Sequence, residues 1–353
     1  MQVVYSPVHL RHDPKFAIEQ SRLMPTFEHI GRAEAIRETL QADGGFQFSA
    51  PREWGLGPIE GVHDAGLIRF LARGWEDYQV AAGPTDDVMP DVFYRPALRR
   101  GMGERGEPES VQAQFGYWCF ETTTPLTKGT YEAAVTAVDT ALTATQYVLD
   151  GKGTTYGLCR PPGHHATSGM YGGYCFFNNA AIAAHHVAST TGTKVTVLDV
   201  DYHHGNGTQE IFYDRDDVQY VSLHGDPARA YPWNVGYADE TGTGRGAGAN
   251  LNIPLAARTE DDAYLDALHS ALERVEGFGP SMVIVSLGLD TFFTDPISDL
   301  AITADGFERC GAAVAELGLP TVVLQEGGYD VAALGDNVRR WLVGVGEGRI
   351  SRP

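Results

Sequence analysis

The stretch LDVDYHHGN, residues 198–206, follows KVTV (194–197) and precedes GTQEIFY (207–213). Val195 to Leu198 read as a short buried strand, yet its end carries Asp199, Asp201, His203 and His204. Charged groups at the edge of a core cost free energy unless something pairs with them. Residues two apart in an extended chain point the same way, so Asp199, Asp201 and His203 share one face. Two carboxylates and an imidazole on one face suit a divalent metal.

Outward from this strand the chain alternates. Apolar β-rich runs recur as VVY near the start, TTYGLC (154–159), KVTVLDV (194–200), VQYVSLH (218–224), SMVIVSLGL (281–289) and TVVLQ (321–325). Helical patterns lie between them: 130–149, 177–189, 259–275, with Thr259 and Asp262 in capping-box spacing, and 303–318, ending at a C-cap glycine. Strands alternating with helices predict βαβ units and a largely parallel sheet, an α/β fold. Residues 84–116, rich in Pro, Gly and charge, interrupt the rhythm, and a loop this long inside a compact domain is usually functional or disordered.

Ligands of open parallel sheets bind beyond the carboxyl ends of the strands. Here TTYGLC runs into RPPGHHA, KVTVL into DVDYHHGNG, VQYV into SLHGDP, SMVIVSLG into LDTFFTDP and TVVLQ into EGGYD. One polar, Gly-rich strand end says little; several on one rim predict a site. Asp290, at a second strand end, completes a three-ligand set with Asp201 and His203, leaving positions for water and substrate as a catalytic metal requires. Such an ion polarises a carbonyl and acidifies water. The tandem His164 and His165 follow a rigid Pro-Pro-Gly turn and suit proton transfer near neutral pH, with Asp199 and Asn206 as orienting partners. Tyr329 follows two glycines that allow close approach to a ligand, where a phenol can donate to a developing oxyanion. Taken singly, a D-x-D pair caps loops and a lone tyrosine packs; their density on one rim favours chemistry.

Composition narrows the classes. The chain has 353 residues, 43% hydrophobic, without an apolar run long enough to span a membrane and without a signal-peptide pattern in MQVVYSPVHLRHDPKF. Cys119, Cys159, Cys175 and Cys310 form no CxxC pair, which argues against a thiolate zinc site or redox dithiol and for a reducing, cytoplasmic setting. With 26 basic against 46 acidic residues, a net −20, the surface repels nucleic acid and anionic lipid and favours a cationic substrate.

The segments RPPGHHA (160–166), GGYCFFNNAAIAA (172–184), DVDYHHGNGTQEIFY (199–213), VSLHGDP (221–227), GLDTFFTDPIS (288–298) and QEGGYD (325–330) resemble the zinc-dependent histone deacetylase superfamily. The likeness runs over roughly residues 15–345, in the same order along the chain. It implies a three-layer arginase–deacetylase fold over 1–353, one domain whose central, mostly parallel sheet of about eight strands has helices on both faces, with an inserted loop at 84–116. It implies zinc, or iron(II), on Asp201, His203 and Asp290, and catalytic roles for His164, His165, Tyr329, Asp199 and Asn206. Asn206 stands where some members have a second aspartate; a neutral amide leaves His165 better suited to begin as a neutral base. Which of the two histidines is the general acid stays open. The resemblance further implies a substrate channel walled by Tyr174, Tyr231 and Gly173, and a structural potassium ion held around Asp199, Asp201, His203, Ser222 and Leu223.

Within the superfamily, VSLHGDP, GYADETGTGRGAGANLNIPL (236–255) and YWCFETTTPLTKGTYEAA (117–134) look most like the acetylpolyamine amidohydrolases. In that branch the insertion supports a homodimer and narrows the entrance, so the expected substrate is a slim, cationic acetylated amine. Glu19, Glu107, Glu109 and Glu121 are the acids expected near the mouth. Three rivals remain: an acetyl-lysine protein deacetylase, a non-catalytic acetyl-amine binder, and an arginase-like hydrolase, which would need two metals and more carboxylates than this rim offers.

Overall fold

A computed structural model describes residues 1–19, 21–103 and 105–347; residues 20, 104 and 348–353, part of the expected domain and insertion, lie outside the described residues. Ten strands form among the described residues: β1 Gln2–Val4, β2 Phe16–Glu19, β3 Arg22–Pro25, β4 Gln47–Ser49, β5 Thr155–Gly157, β6 Val195–Asp199, β7 Val218–Gly225, β8 Asn250–Leu255, β9 Met282–Leu287 and β10 Thr321–Gln325. Eight build one parallel sheet in the order β4-β1-β5-β10-β9-β6-β7-β8, and β2 and β3 pair as a separate antiparallel hairpin. The late strands β9 and β10 thus insert between β5 and β6, which are neighbours in sequence. That insertion brings the four strands ending in histidines, aspartates and tyrosine side by side in mid-sheet.

Alternation along the strands explains the layers. Leu198, Val283, Val285 and Val323 pack against the helices Gly31–Asp43, Asp261–Phe278, Ala304–Glu316 and Val331–Glu347. Val195, Val197, Ile284, Val322 and Leu324 face the opposite side, where the alanine-rich helices Thr130–Leu149 and Asn179–Thr191 approach closely. Strands covered on both faces read as unbroken apolar runs, which is why the central five were visible in sequence. A third cluster, around Leu67, Phe70, Phe115 and Trp118, sits outside the helix Thr130–Leu149.

Two local expectations change. Thr259 does not cap the helix at Asp261, because its hydroxyl donates to Ala256 O at 2.7 Å, while Asp261 accepts from the backbone N–H and hydroxyl of Thr303 across the gap between helices. The stretch 84–116 is not loop throughout: it holds a 3-10 turn, Pro96–Arg99, and the start of the helix Val111–Trp118. Gly116 packs so tightly on this stretch that a Cβ there would stand 1.6 Å from Val92 O.

Candidate active site

The register of the sheet sets the floor of the site. Asp199 ends β6 beside Ser286 of β9 and Ser222 of β7. Just beyond, Asp201, His203 and Asp290 converge, with one ligand atom from each lying within 4.8 Å of the others. His203 Nδ1 stands 3.3 Å from Asp201 Oδ1 and 2.9 Å from Asp290 Oδ2. Backbone donors aim the carboxylates: Gly327 N donates to Asp201 Oδ2 at 2.8 Å and Tyr202 N to Asp290 Oδ1 at 2.8 Å. Donors around one tetrahedral ion, about 2.0–2.2 Å from it, stand roughly 3.4 Å apart, close to these separations.

The electrostatics fit a cation. Burial, then the neighbouring Asp201, pushes the Asp290 carboxyl up to about 7. Burial opposes charge on His203, yet the two carboxylates raise its imidazole to about 9. Two fully buried aspartates facing one another are costly without a positive partner, which a divalent ion would supply.

The histidines sit differently. His164 Nδ1 donates to Asp199 Oδ2 at 3.1 Å; burial opposes its protonation, but Asp201 and Asp199 raise its pKa to about 10. Asn206 Nδ2 donates to His165 O at 3.3 Å, which turns its Oδ1 toward His165 Nδ1 at 2.7 Å. The Nδ1 of His165 is therefore the protonated nitrogen, and its Nε2 is left as an acceptor. Burial, then His164 and His203, lowers the His165 pKa well below the ordinary range.

A cavity of about 470 Å³ opens over these groups, lined among others by His165, Gly173, Tyr174, His203, Tyr231 and Tyr329. Tyr231 packs edge-on against His165 at 4.9 Å between ring centres, and its buried hydroxyl has no hydrogen-bond partner among the described residues. Gly173 has a φ of +58°, and a Cβ there would lie 2.3 Å from His165 Cδ2, so only glycine fits. Glu19 and Glu121 also line this cavity. Glu19 accepts from the Tyr174 hydroxyl, and burial raises its carboxyl. Glu121 accepts from Gly173 N at 3.0 Å, from the Thr124 hydroxyl at 2.5 Å and from Thr123 N, so its oxygens hold the turn rather than stand free. Glu107 and Glu109 line a different depression within the insertion, and Glu107 accepts from Trp118 Nε1 at 2.8 Å. Ser222 and Leu223 lie buried on β7, where the Ser222 hydroxyl meets His224 Nδ1 at 2.8 Å.

Sequence reading missed a buried ionic cluster beneath the tyrosine. Glu28 accepts from Arg32 Nη1 at 3.0 Å and from Arg160 Nε at 2.8 Å. Arg32 also donates to Gly328 O at 2.7 Å and Glu326 O at 2.6 Å, with its guanidinium 4.6 Å from the Tyr329 ring centre. No local signal marks these residues, because Glu28 and Arg160 lie 132 positions apart.

A family model described as the histone deacetylase domain matches residues 26–344. Acetylpolyamine amidohydrolase 2 of Pseudomonas aeruginosa is 41% identical over 344 residues, covering 98% of each chain. The acetylpolyamine amidohydrolase of Mycoplana ramosa is 41% identical over 345 residues, covering 98% of this chain and 99% of its own. Among solved structures, an acetylpolyamine aminohydrolase from Burkholderia pseudomallei superposes with a TM-score of 0.91 at 37% identity, covering 99% of both chains. The HD domain of HDA15 superposes at 0.80 with 27% identity.

Proposed function

Because the chain belongs to the histone deacetylase family, we propose that it is a metal-dependent amidohydrolase that removes acetate from N-acetylated polyamines such as acetylputrescine, acetylcadaverine and acetylspermidine. The observation that carries this reading is the convergence of Asp201, His203 and Asp290 with His165 and Tyr329 around one cavity. Asp201, His203 and Asp290 would hold zinc, and iron(II) would suit the same donors. When bound, that ion polarises the acetyl carbonyl and acidifies a water. His165 accepts the water's proton at Nε2, with Asn206 fixing the ring through Nδ1, as the water oxygen bonds to the acetyl carbonyl carbon and the carbonyl oxygen becomes an oxyanion. Tyr329 donates its phenolic proton as a hydrogen bond to the oxyanion. His164, hydrogen-bonded to Asp199, tunes the field at that negative charge. His165 then returns its proton to the amine nitrogen, and the C–N bond breaks to leave acetate and the free amine.

Tyr174, Tyr231 and Gly173 wall the acyl-bearing arm, Glu121 holds the turn that carries Gly173, and Glu19 gives the cavity a negative lip for a distal ammonium. A structural potassium ion belongs around Asp199, Asp201, His203, Ser222 and Leu223. The exposed Val92, Leu98 and Met102 of the 84–116 insertion support a homodimer through it, within a single deacetylase domain. Among the described residues no helix is long and apolar enough to cross a membrane.

A substrate panel tests this. Acetate release from acetylputrescine, acetylcadaverine and acetylspermidine is expected at higher kcat/KM than from an acetyl-lysine peptide. A peptide turned over better would make the protein a lysine deacetylase. Acetylated amines bound but never hydrolysed by metal-loaded protein would make it a binding protein.

A further inference from the structure

Tyr329 follows Gly327 and Gly328, the latter at a φ of +113°, and precedes the helix Val331–Glu347. Arg32 holds the loop before it through Glu326 O and Gly328 O, and a neighbouring carboxylate takes the N–H of Tyr329 itself. Asp295 Oδ2 accepts from Tyr329 N at 2.7 Å and from Asp330 N at 3.3 Å, while its Oδ1 accepts from Ile297 N at 3.1 Å. The residue is buried, at 8% exposure, and belongs to the segment that begins with Asp290. Pro296 and Ile297, which follow it, line the same cavity as Tyr329. Beside it, the Thr294 hydroxyl donates to the Asp330 carboxylate, a second tie between the same two loops.

We propose that Asp295 is a positioning residue for deacetylation: its carboxylate locks the Tyr329 backbone to the Pro296–Ile297 wall and so sets where the phenol meets the acyl oxygen. The inference rests on Tyr329 acting as the oxyanion donor. An asparagine at 295 keeps the shape but has one acceptor oxygen, so its amino group must face either Tyr329 N–H and Asp330 N–H or Ile297 N–H. A donor facing a donor frees one of the two loops.

The test is a double-mutant cycle on acetate release, with kcat and KM measured for wild type, Asp295→Asn, Tyr329→Phe and the double variant, alongside metal content and thermal melts. Asp295→Asn is expected to lower kcat about ten- to a hundredfold, the cost of a displacement on the order of 1 Å, with KM and metal content held. On the Tyr329→Phe background the same change is expected to cost less than about threefold, because the group it positions is gone. Equal losses on both backgrounds, or a wild-type kcat for Asp295→Asn, overturn the positioning role. A Tyr329→Phe variant at wild-type rate overturns instead the donor role on which it rests. Should Asp295→Asn fail to fold, Thr294→Val breaks the exposed tie and is read in the same cycle. A several-fold fall in kcat that vanishes on the Tyr329→Phe background supports the proposal, and no fall, or equal falls, overturns it.

Discussion

Replacing Glu28 with glutamine removes the one carboxylate that Arg32 and Arg160 share. Side-chain exposure is 1% at Glu28, 3% at Arg32 and 1% at Arg160, so two guanidiniums are left buried without their counter-charge. Removing one partner of a buried ion pair typically costs about 3–5 kcal/mol. An independent route gives a similar figure. Burial opposes ionisation of Glu28, but Arg160 and Arg32 overcome it and hold the carboxyl at about 2 against an ordinary 4.5. At about 1.4 kcal/mol per tenfold in the ionisation constant, that depression stabilises the fold by about 3 kcal/mol at neutral pH. With an unfolding entropy of about 2.1 cal/mol/K per residue, a loss of 3–5 kcal/mol lowers Tm by roughly 4–7 °C for this chain. The pH dependence carries the sign. A carboxyl depressed in the folded state contributes fully above about 4.5 and loses its contribution as pH falls toward about 2. Calorimetric melts of wild type and Glu28→Gln are therefore expected to differ most at neutral pH and to draw together between about pH 4.5 and 2. A gap below about 1 °C at neutral pH, or one that stays constant on acidification, would refute the charge-compensation argument.

Three further outcomes follow from the site. Tyr329→Phe is expected to lower kcat by about 10²–10³, the usual cost of one oxyanion donor, with metal content unchanged by elemental analysis. Gly173→Ala forces a methyl group onto the His165 ring, where the gap to Cδ2 is only 2.3 Å, and is expected to lower kcat at least tenfold or so while leaving the metal in place. Asn206→Asp puts a negative charge beside His165 Nδ1, raises its pKa, and so should move the acidic limb of kcat/KM upward by about one pH unit or more. An unmoved limb in the pH–rate profile would show that His165 is not the base.

Much of the site was legible because strand ends carry it. Once the apolar runs at β5, β6, β9 and β10 are read as strands of one parallel sheet, His164, His165, Asp201, His203, Asp290 and Tyr329 must lie on one rim, whatever the order of strands. The edges were harder. β8, NLNIPL, is polar and contains a proline, and β4 has three residues, too few for periodicity to speak. Nor could the sequence distinguish a free carboxylate at the cavity from one already engaged, since Glu121 is spent on Gly173 N, Thr123 N and Thr124 only after the chain folds back across 52 positions. Asp295 and the Glu28–Arg32–Arg160 cluster were invisible for the same reason: their meaning lies in backbone groups and side chains brought up from distant stretches.

The metal centre itself admits the most direct measurement. Elemental analysis of the purified protein, paired with acetate release from acetylputrescine before and after chelation, should find one divalent ion per chain. Activity should vanish when the ion is stripped and return with zinc, and Asp290→Ala should show neither ion nor turnover. Undiminished acetate release from the stripped enzyme, or a full complement of metal in Asp290→Ala, would contradict the assignment of Asp201, His203 and Asp290 as the site of catalysis.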